Sequence, residues 1–324
     1  MTTPAVPRTR IYLAFAAVYV LWGSTYLGMR FALETMPPFF AAGGRFVIAG
    51  VLLYAIARRS GAPPPARIHW RASFMVGSLL FLVGNGGIMW AELTVPSGPA
   101  ALIVATVPLW VALLGWLVFG SGRPGLRAFA GLAIGFAGVV LLIGPGEIEH
   151  QVNPVGALVL VFSAFAWATG SLLSRRLPAP PSALLGAAMN LFAGGVLLLV
   201  ASLLAGEWSS LRLEAVSLKS WLALAYLIVF GSILGFSAYM WLLKVVPPNR
   251  VATYAYVNPV VAVFLGWALG GEVFTPQMLA AAAVIVTAVV LITSATASRS
   301  APRLNLPQPP AARVPQPGEK PSTV

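Results

Sequence analysis

The sequence predicts an all-α membrane protein of ten transmembrane helices, arranged as two inverted five-helix repeats. Three observations point there. The 324-residue chain is 59% hydrophobic and only 9% charged, with a mean hydropathy of +0.87, far more apolar surface than a soluble domain could hide. Its apolar residues gather into ten stretches of about the length that crosses a hydrocarbon core. The chain also resembles itself at a nearly constant offset.

Taken in order, the spans fall near 11–29, 38–57, 71–91, 98–119, 126–144, 155–174, 182–204, 220–243, 250–270 and 276–294, delimited by glycine, proline and charge. The first follows Arg8 and Arg10 as a signal peptide would, but its apolar run is longer than such a segment carries and no cleavage-like site follows, so it reads as retained. The expected organisation is a cytoplasmic N-terminal tail over 1–10, repeat one over 11–148, repeat two over 149–296 and a cytoplasmic tail over 297–324. That last stretch is Pro-rich and polar and reads as disordered.

The net charge of +12 suggests nucleic acid only until the basic residues are placed. With both termini inside, the inner segments hold 16 of the 20 Lys and Arg, the outer side holds Arg30, Arg212 and Lys219, and Arg45 lies within a span. This asymmetry sets both ends in the cytoplasm, with lipid rather than nucleic acid as the protein's surroundings. There is no Asp or Cys, with 8 Glu and 2 His, so metal clusters, disulfides and thiol catalysis lack their raw material. His69 and His150 are isolated. No phosphate-cradling loop is present, no cofactor is expected, and no acid, base and nucleophile cluster marks an enzyme.

A shift of 145 places Trp22 on Trp167, Arg30 on Arg175 and Gly50 on Gly195; a shift of 151 places Gly84 on Gly235, Trp90 on Trp241, Pro108 on Pro259 and Trp116 on Trp267. Each copy holds an odd number of spans, so the second enters the membrane opposite to the first. Repeats so related enclose a site near the bilayer midplane and expose it alternately to the two sides. Secondary transport is the function this implies.

The stretches Leu21-Trp22-Gly23-Ser24-Thr25-Tyr26, Pro37-Pro38 with Gly44-Arg45-Phe46, and Val257-Asn258-Pro259-Val260 with Gly271-Glu272 resemble EamA-type permeases of the drug/metabolite transporter superfamily. Val83-Gly84-Asn85-Gly86 and Ala91-Glu92 through Pro96-Ser97-Gly98 are similar to its YedA-like branch. The resemblance covers about residues 11–295. It implies a ten-helix inner-membrane permease with a central cavity, mostly exporting amino acids, related metabolites or small toxic compounds. One departure stands out: the repeat partner of Glu272 is Ser121, so the acidic residue usual after the fourth span is missing from the first copy.

Among individual residues Arg45 is the most informative. It lies seven positions, roughly 10 Å, inside the second span, where a charge faces the bundle interior or a water-filled cavity. Either its planar fork receives a substrate carboxylate or it forms an ion pair with Glu92 or Glu34. Glu92, at the outer end of the third span, is the gating or proton-coupling candidate, unless it is merely solvated. Glu272 reads as a loop residue serving helix-end geometry. Trp22 and Trp167 sit at mid-depth, away from any interfacial belt, and with Tyr26 either line an amphipathic cavity or pack between helices. Asn85 between glycines, and Asn258 before Pro259 with Tyr254 and Tyr256 one turn earlier, sit on weakened helices that lining a site or close helix packing would explain. Close packing is the expectation for Gly131-x-x-x-Gly135 and Gly266-x-x-x-Gly270.

The expected activity is export of small metabolites, amino acids or related compounds foremost, by alternating access. Trp22, Tyr26, Arg45, Asn85, Trp167, Tyr254, Tyr256 and Asn258 would contact substrate, and Arg45 with Glu92 would gate. Efflux of lipophilic cations is the alternative within transport, and a non-transporting membrane scaffold the alternative outside it. A homodimer stays open.

Overall fold

The computed structural model describes residues 7–120, 123, 125–143, 152–246, 251, 253–273 and 275–300, the side chains of 143, 210, 240, 243, 244, 256 and 292–300 excepted. The terminal tails, Ser121, Glu147, Glu149 and His150 lie outside these residues, as does the side chain of Tyr256.

Among the described residues, apolar runs bounded by proline and charge form these helical rods: α1 (Arg8–Ala32), α2 (Pro38–Arg59), α3 (Arg67–Ala91), α4 (Ser97–Leu117), α5 (Leu126–Ile143), α6 (Pro154–Leu173), α7 (Ala183–Leu204), α8 (Leu218–Tyr226 continued through Gly235–Val245), α9 (Tyr254–Gly270) and α10 (Pro276–Ser300). Seven of them, α1 to α4 and α6 to α8, hold helices long and apolar enough to cross a bilayer; α5, α9 and α10 contain shorter apolar helices over Leu126–Leu142, Val257–Gly270 and Pro276–Leu291.

The main helix pairings recur when the two halves are exchanged. α2 lies along α7 and α5 along α10, while α1 packs on α8 and α9 as α6 packs on α3 and α4. The crossing of α2 and α7 shows the exchange residue by residue. A Cβ on Gly50 would stand 2.6 Å from the Phe192 backbone nitrogen, and a Cβ on Gly195 would stand 2.6 Å from that of Val47. The offset of 145 relates Gly50 to Gly195 and also Val47 to Phe192, so one contact is made twice about a local two-fold. Without side chains at these glycines the two backbones approach closely, the contact that membrane helices rely on where lipid removes the hydrophobic drive.

Both α3 and α8 loosen midway into π-helical turns, at Ser78–Asn85 and Leu227–Leu234. Glycines at 84, 86 and 87, and at 231 and 235, mark these segments in sequence. Widened turns free carbonyls from the regular ladder, and partners from the opposite half take them up. Trp22 Nε1 donates to Gly231 O at 3.1 Å, and Ser163 Oγ donates to Val83 O at 3.2 Å. Trp22 packs over Gly235, where a Cβ would meet its Nε1 at 2.5 Å, and Trp167 packs over Gly84, where the corresponding distance to its ring is 3.2 Å. The two mid-depth tryptophans therefore do both jobs the sequence left open: they pack between halves and, as described below, line a cavity.

Helix starts show where the halves depend on one another. α6 and α7 cap themselves, Asn153 accepting from Val155 N and Gly156 N and Ser182 from Leu185 N. α2 and α4 instead begin after Pro37 and Pro96, which have no capping side chain. Carboxylates from the other half fill the gap. Glu207 accepts from Phe39 N and Phe40 N at 3.2 and 2.8 Å, and Glu272 accepts from Ser97 N and Gly98 N at 2.7 and 2.9 Å.

Candidate functional site

α1, α2, α3, α4, α6, α8 and α9 surround a cavity with about 880 Å³ of empty space, the open solvent at its mouth included. Its walls are largely aromatic: Trp22, Tyr26, Phe46, Phe81, Trp167, Phe236 and Tyr254. The rings interlock edge to face, Trp22 on Tyr254 at 5.1 Å and Phe81 on Trp167 at 6.1 Å between centroids, so the wall is held by mutual packing.

Two amides, one cation and the hydroxyl-bearing Thr25, Tyr26 and Tyr254 supply its polarity. Asn85 donates back to Leu80 O at 3.5 Å, across the π-helical turn. Asn258, with its amide nitrogen turned inward, reaches Tyr254 O at 3.2 Å and Tyr19 O at 3.3 Å, joining α9 to α1 just before the helix loses a donor at Pro259. Arg45 is 5% exposed. Its Nε donates to Ser232 Oγ at 2.9 Å, its guanidinium stands 4.7 Å above the Phe46 ring, and its Nη2 lies over Gly231, where a Cβ would come within 3.0 Å. Buried Nη1 has no partner among the described residues. No Glu lines the cavity, so the guanidinium is its one charged group among the described residues.

Seven of the eight side chains expected at the substrate, Trp22, Tyr26, Arg45, Asn85, Trp167, Tyr254 and Asn258, thus meet around one space. Tyr256 cannot be placed, since its side chain is not described. The ion pair expected as the alternative for Arg45 is not formed. Glu34 instead bonds Lys219 at 2.5 Å, and Glu92 makes no ion pair with Arg45. Nor is Glu92 solvated: it is 7% exposed, and both carboxyl oxygens lack hydrogen-bond partners among the described residues.

Glu272 is at a helix end as expected, but the end belongs to another helix. Besides the two amides of α4 it accepts from Ser97 Oγ and Arg30 Nη1, each at 2.6 Å. Gly266 makes room for it, since a Cβ there would stand 2.6 Å from its Oε2. Close helix packing describes Gly135, which faces Leu109 and Ala288, but Gly266 cradles a carboxylate, a correction that only the tertiary contacts provide.

Sequence reasoning missed Phe46, Phe81 and Phe236 in the wall, and Ser232, which orients Arg45. Phe residues in an apolar span carry no distinguishing mark. Ser232 carried one, standing beside Gly231 in a segment otherwise almost wholly apolar. Among the described residues no group of three or more His and Glu could hold a metal.

The family described as the EamA-like transporter family matches this chain twice, over residues 9–144 and 154–294. The Uncharacterized inner membrane transporter YedA of Escherichia coli K12 is 43% identical over 286 residues, 87% of this chain and 90% of the relative. The Uncharacterized transporter YvbV of Bacillus subtilis is 26% identical, covering 93% and 97% of the two chains. The protein named Probable amino-acid metabolite efflux pump of Salmonella typhimurium is 26% identical over 83% of this chain and 89% of the relative. A crystal structure aligns with a TM-score of 0.60 at 20% identity over 89% of this chain and 98% of that one, a likeness of fold alone.

Proposed function

This chain belongs to the EamA-like transporter family, and on that premise we propose that it is a secondary permease of the cell inner membrane exporting small carboxylate-bearing metabolites, amino acids or related compounds foremost, by alternating access. One observation carries the cargo class: the buried guanidinium of Arg45 stands in the cavity wall with its Nη1 unpartnered, and no acid lines the cavity, both among the described residues. A buried cation without a counter-charge is costly, and a carboxylate arriving as cargo relieves that cost with charge-assisted hydrogen bonds. The aromatic walls then take the apolar part of the same molecule.

The name of the Salmonella relative, an amino-acid metabolite efflux pump, supports the same cargo class. Lipophilic cations fit less well, because they would meet Arg45 before any acid. The two inter-half carboxylate caps, Glu207 on α2 and Glu272 on α4, suit the outer end of a bundle whose both termini face the cytoplasm, and their rupture and reformation would accompany rocking of one half on the other.

Counterflow in proteoliposomes tests this reading. A panel of amino acids, their amides and quaternary ammonium compounds is offered to the wild type and to Arg45→Ala. Uptake of acids but not of the matching amides, lost in Arg45→Ala, is the expected result. Transport of the ammonium compounds alone would overturn it.

A further inference from the structure

Two helices of the cavity wall carry a proline at matching places, Pro108 on α4 and Pro259 on α9, related by the offset of 151. Proline has no N–H, so the carbonyl four residues earlier loses its helical donor: that of Val104 on α4 and that of Ala255 on α9. On α4 the ladder is interrupted over Ala105 and Thr106. Thr106 N turns back to Ile103 O, and Leu109 N and Trp110 N both go to Thr106 O.

A helical carbonyl lies along the axis between its own residue and the one four further on. Val104 and Pro108 both line the cavity, as do Ala255 and Pro259, so each freed carbonyl opens on that space. Elsewhere the fold takes up the carbonyls it frees: in the π-helical segments Gly231 O accepts from Trp22 and Val83 O from Ser163. No side chain among the described residues does this for Val104 O or Ala255 O. Neighbouring Asn258 turns its amide to Tyr254 O and Tyr19 O instead. Acceptors left open within a membrane are costly until water or cargo meets them.

Their position gives them a use. α4 and α9 lie against one another, whereas α2 lies against α7 and α8, so the carbonyl pair and the Arg45 guanidinium occupy different walls of one cavity. α2 and α4 run in the same direction, and Arg45 lies as far from Pro38 as Val104 does from Ser97, seven positions or roughly 10 Å. One wall thus offers a cation and another, beginning at the same depth, offers acceptors alone. A primary ammonium, all donors and no acceptor, matches the second.

Resting on the reading of Arg45 as the seat of a cargo carboxylate, we propose that Val104 O and Ala255 O form an ammonium subsite, so that the cargo is a zwitterion held at both of its charges. The subsite recognises N–H bonds rather than positive charge as such. It accepts a primary ammonium, refuses a trimethylated one, and gives nothing to the same acid without its nitrogen.

Calorimetry on the purified full chain tests this with leucine and phenylalanine, their counterparts lacking nitrogen, 4-methylpentanoate and 3-phenylpropionate, and their N,N,N-trimethyl derivatives. Each amino acid should bind at least about tenfold more tightly than either counterpart, the low end for charge-assisted hydrogen bonds. Pro108→Ala returns an N–H to Val104 O and Pro259→Ala returns one to Ala255 O. Each should lower that preference at least about threefold, with the affinity for the nitrogen-free acids unchanged. A merely distorted cavity would weaken both compounds alike and leave the preference where it was. Binding of neither amino acid, equal binding of the nitrogen-free or trimethylated counterparts, or a preference unmoved by both proline variants overturns the proposal. Failure of the carboxylate reading is a separate result: leucinamide would bind as tightly as leucine, and Arg45→Ala would bind leucine as the wild type does. If a proline variant folds poorly, the compound series on the wild type decides.

Discussion

Replacing Glu272 by alanine removes an acceptor that four donors share: Ser97 N, Ser97 Oγ, Gly98 N and Arg30 Nη1, at 2.6–2.9 Å. The carboxylate is 5% exposed but its Arg30 partner is 37% exposed, so the ion pair itself is screened and contributes at most about 1 kcal/mol. The three remaining donors are served by a buried charged acceptor. Losing it strands two amides and a hydroxyl at the start of α4, whose own N-cap is a proline. At about 1–1.5 kcal/mol for each of the three, plus the screened pair, the loss comes to about 3–5 kcal/mol. Arg30→Ala should cost no more than about 1 kcal/mol, which separates the cap from the ion pair.

Gly266→Ala provides the independent route, since its Cβ would occupy the space of Oε2 at 2.6 Å. It should destabilise to a similar degree, and the double variant should be far from additive because both remove one interaction. The assay is reversible unfolding by SDS titration in mixed micelles, with helix content as readout. A cost below about 1 kcal/mol for Glu272→Ala, or additivity with Gly266→Ala, would refute the view of Glu272 as the cap that joins the halves.

Arg45→Ala should lower flux of a transported acid about ten- to hundredfold, the loss of a charge-assisted hydrogen bond, while membrane insertion measured by fractionation is retained; Arg45→Lys should recover it only in part, because an ammonium cannot keep both Ser232 and a cargo carboxylate in a planar fork. Gly50→Ala and Gly195→Ala should each destabilise by about 1–3 kcal/mol or more in the same SDS titration, and by similar amounts, since each drives a methyl into the facing backbone at 2.6 Å. The chain has no cysteine, so Ser60→Cys and Ser209→Cys, both at exposed positions, can be labelled against no background. With impermeant maleimide on intact cells Ser209→Cys should react and Ser60→Cys should not. The converse would reverse the orientation.

Much of the site was legible because its signals are local. A tryptophan at mid-depth, an asparagine between glycines and an arginine two turns inside an apolar span are each anomalous against their own neighbours, whatever they touch. Tyr26, Asn85, Trp167, Tyr254 and Asn258 could be assigned to one space because the internal repeat brings the first, third, sixth and ninth spans of such a pair toward a common axis. Phe46, Phe81 and Phe236 could not, since a phenylalanine facing a cavity and one facing lipid look alike in sequence. Of the two π-helical turns only the first was signalled, as the glycine-weakened stretch around Asn85, because widening depends on a neighbour ready to take the freed carbonyl.

Hydrophobic run length, the placement of basic residues and the self-similarity at offsets of 145 and 151 determined the helical membrane architecture and its doubling, since each is a property of the chain read along its length. Which charges meet was decided only in three dimensions. Arg45 bonds Ser232 across 187 positions, Arg30 bonds Glu272 across 242, and Glu272 caps a helix 175 positions away. Such pairings depend on helix crossings set by a few glycines. A shift of one turn at the α2 and α7 contact would redistribute them while leaving every span in the sequence unchanged.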